Sequence, residues 1–163
     1  MEVIEQQDGT PPYHERQSLA FCAVHALNAL LQRRVFTSGD LDAIARDLAP
    51  GPIWAPNPHK SVLGIGNYDI NVLEKALDTV GCAVQWLRPA QSIQDLDLDD
   101  YTGVLLNVRE SSPSLFGVLK EKLTGVSAHW LAIRQCRGIW YNLDSKLPSP
   151  RPFASRQGLI EWL

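Results

Sequence analysis

Cys22 stands at the start of an apolar helical pattern, and Gln17 lies five residues before it. Those residue types at that spacing could carry out nucleophilic attack on a carbonyl. A thiol in the first turn of a helix sits beside backbone N–H groups without intrahelical partners and beside the positive end of the helix dipole. Both favour the thiolate, the reactive form. The side-chain amide of Gln17 and the backbone N–H of Cys22 would supply two donors to an oxyanion forming next to the sulfur. The stretch lacks a base and a group to orient it.

The second half of the chain supplies both. His129 begins one predicted strand, Asp144 closes the next, and Cys136-Arg137-Gly138 reads as the tight turn between them. With the turn centred near Arg137, residues 129 and 144 fall close to opposite each other, where Cβ atoms are about 5 Å apart. Asp144 would then hold His129 in one tautomer and leave its other nitrogen for Cys22. A one-residue change of register would separate them onto different faces. A nucleophile at a helix N-terminus, followed by a base and an orienter on paired strands, is the chain order of papain-like cysteine hydrolases. In that chemistry the thiolate attacks a carbonyl and leaves a thioester for water to hydrolyse. Taken singly, each residue has a plainer role: Cys22 as a core thiol, His129 as a hydrogen-bonded strand histidine, Asp144 as a turn former. Cys82 and Cys136 lack a helix start or upstream amide and read as structural thiols. His25, one turn after Cys22, competes for the role of base but reads as a packing residue or a hydrogen-bond partner of a neighbouring element. His14 and His59 read as exposed.

The elements that must position these residues follow from hydrophobic period and punctuation. Residues 1–12 form a polar leader, interrupted by Asp8-Gly9 and Pro11-Pro12. A helix from Cys22 to about Arg33 turns Ala23, Ala26, Leu27, Leu30 and Leu31 inward. Thr37 opens a second helix with Asp40 as a capping-box partner, and Leu41, Ile44, Ala45 and Leu48 form its apolar face. Residues 50–68 hold four prolines and three glycines and read as a loop or arm. Gly64-Ile65-Gly66 lacks the Lys-Ser/Thr and the preceding strand of a phosphate loop. A third helix is capped by Asp69, buries Ile70, Leu73, Ala76, Leu77 and Val80, and ends at Gly81. Strands are predicted at Cys82–Leu87, Gly103–Val108, His129–Gln135 and Ile139–Leu143, with the acidic run Asp95–Tyr101 as solvated surface. A last helix is predicted over Ala154–Leu163. Helices first and an antiparallel sheet after them make the fold α+β.

Composition narrows the class. The 163 residues suit one domain with its own core, 45% hydrophobic and 20% charged. A net charge of −3 gives no reason to expect nucleic acid. Three cysteines without a CxxC pair fit a reducing, cytoplasmic compartment rather than a disulfide framework. No apolar run reaches the roughly 18 residues of a membrane span. No metal site or cofactor motif is read, and a monomer is expected.

Tyr13-His14-Glu15-Arg16-Gln17, Cys22-Ala23-Val24-His25-Ala26-Leu27-Asn28, Leu63 to Val72, His129-Trp130 and Tyr141-Asn142-Leu143-Asp144-Ser145-Lys146-Leu147 together resemble the Josephin-domain deubiquitinases. The short middle arm and the Asn-Leu-Asp-Ser-Lys-Leu motif are similar to the small, Josephin-only members. The resemblance covers about residues 13–163. It implies a papain-like fold and thiol-dependent hydrolysis of the bond after the C-terminal glycine of ubiquitin. By position it makes Cys22 the nucleophile, His129 the base, Asp144 the third member and Gln17 the oxyanion residue. It also makes Ile70 and Asn71 ubiquitin contacts beside the cleft, and maps a second ubiquitin surface to Val35, Phe36 and Val80. The arm at residues 50–68 would gate entry of the ubiquitin tail. The family continues past the last helix into a further segment and strand, so a shortened domain is expected here. The run Leu123 to Ala128 stands where short relatives carry basic residues. The leading expectation is a cysteine isopeptidase acting on ubiquitin conjugates. Two other readings stay open: a non-catalytic ubiquitin-binding module disabled by the short C-terminus, and a papain-like amidase or transferase for small substrates.

Overall fold

The computed structural model describes residues 10–18, 21–52, 55–60, 67–88, 91–109 and 128–163. The leader up to residue 9, the Gly64–Gly66 stretch and residues 123–127 before the His129 strand lie outside the described residues. Three helices come first: α1 (Cys22–Leu31), α2 (Ser38–Leu48) and α3 (Ile70–Thr79). A four-stranded antiparallel sheet follows, in the order β1 (Val104–Arg109), β2 (Ala128–Cys136), β3 (Ile139–Asn142), β4 (Arg151–Pro152). The last helix, α4, spans Arg156–Trp162. This is the α+β arrangement that the order of patterns predicts.

Local chemistry sets the helix ends. Thr37 and Asp40 form the reciprocal capping box at α2, and the Asp69 carboxylate accepts from Val72 N at the start of α3. The predicted end of α1 near Arg33 is two residues too long. Gln32 adopts a left-handed conformation (φ 55°), and its N–H and that of Arg33 turn back to the carbonyls of Ala29 and Asn28. The α4 helix begins two residues later than its apolar pattern suggests, because Ser155 caps it by accepting from Gly158 N.

Both faces of the sheet are covered, which explains why residues 129–133 are buried without interruption. Trp130, Ala132 and Leu143 pack with α1, α2 and α3 in one core; Leu131, Ile133 and Trp140 pack with Leu98 and Leu159 in a second. The acidic run is therefore more than solvated surface. It folds into two short 3₁₀ turns, buries Leu98, and presents Asp97 and Asp99 to Arg156 of α4 at 3.0 and 3.1 Å. Gly103, just before β1, lets that strand approach closely: a Cβ there would lie 2.4 Å from the Ile133 carbonyl oxygen and 2.7 Å from Leu30 Cδ1.

Two sequence expectations fail here. Cys82–Leu87 forms no strand, since no neighbouring strand among the described residues offers it a ladder; Trp86 and Leu87 are exposed, and the Trp86 indole donates to Glu74 of α3. Leu48 is 38% accessible rather than turned into the core.

Asn28 shows how α1 is joined to the chain that follows it. Its Oδ1 accepts from Val35 N and Phe36 N, each at 2.9 Å, and its Nδ2 donates to Phe36 O at 2.9 Å. An unsatisfied buried group costs about 1–3 kcal/mol. Asn28→Ala should therefore lower the unfolding free energy by about 2–4 kcal/mol in urea titrations, with the denaturant slope unchanged. A loss below about 0.5 kcal/mol would show that these bonds do not hold the junction.

Candidate active site

The site forms where α1 begins, against the start of β2. Cys22 is the first residue of α1, and Phe21 before it provides no side-chain cap, so the N–H groups of the first turn remain available to the sulfur. The backbone N–H groups of Ala23 and of Trp130 on β2 hydrogen-bond that sulfur. The His129 imidazole hydrogen-bonds it as well, and on its other side His129 Nε2 lies 2.6 Å from Asp144 Oδ1. Asp144 occupies Nε2, which leaves Nδ1 to face the sulfur.

The hairpin brings this about by a register different from the predicted one. The turn is the two-residue Arg137-Gly138, both at positive φ (53° and 76°), as a right-twisted hairpin favours. Cys136 pairs with Ile139 and Ile133 with Asn142. Continued outward, the ladder sets position 144 across from Leu131, two residues from His129. An offset of two keeps both side chains on the same face, whereas an offset of one would not. The remaining gap is closed by the loop after β3. Asn142 Oδ1 accepts Asp144 N at 2.9 Å, Asp144 O accepts Leu147 N at 2.9 Å, and Asp144 Oδ1 also accepts Lys146 N at 2.9 Å.

Electrostatics follow from these contacts. Burial is the largest influence on the Cys22 thiol and pushes it up. The His129 hydrogen bond, the Trp130 and Ala23 amides and the His129 charge together outweigh it and hold the thiol below its ordinary range. Burial likewise pushes the His129 imidazolium down. The hydrogen bonds and charges of Asp144 and Cys22 overcome that and raise it to about 9. For Asp144, burial raises the carboxyl, but hydrogen bonds from His129 and Lys146 and the nearby charges of His129 and His14 bring it below its ordinary value. The contacts thus favour a thiolate–imidazolium pair backed by a carboxylate. The contrast with Cys136 is instructive: burial there outweighs two nearby arginines, and the thiol is raised.

The other predicted residues fall in different places. Gln17 is half-buried in the segment before α1, with its Oε1 buried and its N–H donated to Ser145 O at 2.7 Å beside Asp144. Ile70 and Asn71 open α3; Ile70 packs partly into the core, and Asn71 is exposed and bonded to Asp69. The Trp130 indole donates to Tyr68 O at 2.9 Å, tying the approach to α3 to the residue after His129. Phe36 does not belong to an exposed surface. It is 5% accessible and packed in the core, so little of its ring is presented to a partner. His25 faces Glu15 rather than the site, which removes it as a competing base. His14, expected to be exposed, is half-buried and hydrogen-bonds the Asp144 carbonyl from Nε2 at 2.9 Å. Its neighbours in Tyr-His-Glu-Arg-Gln were a visible signal that the whole segment, and not Gln17 alone, belongs to the site.

An uncapped helix start carrying a depressed thiol, set against a histidine on an antiparallel sheet and a carboxylate in the loop beside it, fits a papain-like α+β fold. Comparison with known proteins specifies it. The Josephin family profile matches residues 17–163. Josephin-2 of Homo sapiens is 42% identical over 156 residues, covering 94% of this chain and 80% of the relative. A Josephin-like protein of Drosophila melanogaster is 38% identical over 152 residues, covering 93% and 66%. An ataxin-3 homolog of Arabidopsis thaliana is 32% identical over 158 residues, covering 85% and 49%. The chain belongs to the Josephin family, whose members are in general ubiquitin-specific cysteine proteases.

The ion pair has a direct chemical signature. At about pH 6.5 an ordinary thiol, with pKa about 8.5, is almost wholly protonated. Iodoacetamide should nevertheless alkylate Cys22 there, well ahead of Cys136, with mass spectrometry locating the adduct. Asp144→Asn should shift the acid limb of the alkylation rate toward the ordinary thiol range. An acid limb already at that range in the unsubstituted protein would overturn the pair.

Proposed function

We propose that the chain is a thiol-dependent ubiquitinyl hydrolase that cleaves the isopeptide bond after the C-terminal glycine of ubiquitin. The observation that carries this reading is His129, which touches the Cys22 sulfur on one side and Asp144 Oδ1 at 2.6 Å on the other, in a chain of the Josephin family. Cys22 is the nucleophile, His129 the general base and acid, and Asp144 the group that fixes its tautomer. Gln17 and the Cys22 N–H are the oxyanion donors. Residues 13–163 act as one catalytic unit, monomeric and cytoplasmic, and the three free thiols fit a reducing compartment.

The reaction then runs in two halves. The Cys22 thiolate attacks the glycine carbonyl carbon, and the electron pair of the C=O bond moves onto oxygen, where the two donors meet it. The carbon–nitrogen bond breaks as the His129 imidazolium gives its proton to the departing lysine amine, leaving a thioester and a neutral imidazole. That imidazole takes a proton from water, the hydroxide adds to the thioester carbonyl, and collapse releases the glycine carboxylate and restores the thiolate. Ile70 and Asn71, at the start of α3, are proposed ubiquitin contacts, and the arm at residues 50–68 is proposed to gate the tail.

Hydrolysis of a ubiquitin C-terminal aminocoumarin amide tests the assignment. Cys22→Ala should abolish turnover and labelling by an electrophilic ubiquitin probe. Gln17→Ala should lower kcat by about 10²–10³-fold with little change in KM, as for loss of one oxyanion donor. Labelling that persists in Cys22→Ala would sink the nucleophile. Ubiquitin binding without any turnover by the unsubstituted protein would favour the non-catalytic module instead.

A further inference from the structure

Gln17 must be held accurately to serve an oxyanion, yet it lies in a segment without regular secondary structure. Residues 13–18 are anchored mostly by side chains instead. On one side the segment meets α1: Tyr13 N donates to Gln32 Oε1 at 2.9 Å, and the Glu15 carboxylate accepts from the Tyr13 hydroxyl and from Asn28 Nδ2. On the other it meets the loop after β3, through His14 Nε2 to Asp144 O and Gln17 N to Ser145 O. His25 makes the connection that brackets Gln17 itself. Its Nδ1 lies 2.6 Å from Glu15 Oε2, and its Nε2 accepts from Ser18 N at 3.3 Å, with Ser18 Oγ at 3.4 Å. A backbone N–H can only donate, so Nε2 is the bare nitrogen and Nδ1 carries the proton given to Glu15.

His25 sits three residues after Cys22 on the same helix, so whatever it holds is referenced to the helix that carries the nucleophile. Resting on the hydrolase reading above, we propose that His25, with Glu15 as its partner, is a positioning residue that seats the Gln17 amide against the Cys22 site. It touches neither substrate nor sulfur. Its contribution is the fixed placement of a donor, and a donor displaced by about 1 Å loses much of its effect on the transition state. The Glu15 carboxyl agrees with this arrangement. Burial pushes it up, but the hydrogen bonds from Tyr13, His25 and Asn28 hold it below its ordinary value.

The test is a double-substitution cycle with Gln17, read alongside two measurements that do not need an oxyanion. His25→Ala should lower kcat on the ubiquitin amide by about 10–100-fold while KM stays within about twofold, the pattern of an interaction made only in the transition state. In a Gln17→Ala background the same substitution should cost less than about threefold, because the donor it seats is already gone. The rate and acid limb of Cys22 alkylation by iodoacetamide should not move. His25→Gln, which keeps a donor for Glu15, should lose less than His25→Ala and serves as the variant closest to the native packing. Independent, multiplicative losses, or alkylation slowing in step with kcat, would overturn the proposal and leave His25 as general structural support. ¹⁵N relaxation decides the seating without turnover: the backbone amide of Gln17 should become mobile in His25→Ala while residues 23–30 stay rigid, and an unchanged Gln17 amide refutes it. Failure of the unsubstituted protein to hydrolyse ubiquitin would strike the substrate reading alone, and the relaxation result would still decide the role of His25.

Discussion

His129 is charged in a place where charge is costly. At 4% accessibility its imidazolium has lost nearly all of its hydration, and burial alone drives it toward the neutral form. It stays protonated because two anions from different parts of the chain meet it, the Asp144 carboxylate and the Cys22 thiolate. The same holds in reverse for the sulfur, which is 3% accessible and whose ionised form is favoured by the imidazolium and two backbone N–H groups. Each member of the site is stable in its reactive form only while the others are in place. Removing one partner of a buried, hydrogen-bonded charge pair typically costs about 3–5 kcal/mol, so the site is also a structural element joining α1 to the sheet.

The alternation of strand side chains restricts where this meeting can occur. Trp130 and Ala132 point toward α1, whereas Leu131 and Ile133 point to the opposite core with α4. His129 shares the parity of the second set but lies at the beginning of β2, where the first turn of α1 reaches the strand end. A histidine placed farther along on the same face would be screened from the sulfur by the sheet. The Trp130 amide and the His129 ring therefore approach the sulfur together, one from the backbone and one from the side chain.

Much of this was readable in the chain. Thr37 with Asp40, Asp69 before α3, and Arg137-Gly138 between β2 and β3 act through residues next to one another, so their conformational preferences hold almost regardless of what surrounds them. The candidate residues Cys22, His129, Asp144 and Gln17 were legible because their types and positions carry a chemical meaning. Less was visible where a partner decides the outcome. Cys82–Leu87 has the composition of a strand but no ladder, and Phe36 looked available as a surface aromatic but fills the core around Asn28. His14 read as exposed, because its partner is 130 residues away in sequence, and His25 read as a packing or hydrogen-bonding residue without its partner Glu15 being visible.

The sequence by itself determined which groups could react and which local elements would present them: a thiol at a helix start, a two-residue hairpin, an amide five residues before the thiol. Only the tertiary structure decided the protonation states, the register that puts Asp144 two residues off the direct cross-strand position yet still within 2.6 Å of His129, and the anchoring of residues 13–18 between helix and loop. The reason is physical. Capping and turn preferences act over a few residues, whereas desolvation and charge pairing depend on everything that packs within a few ångströms, whatever its distance along the chain.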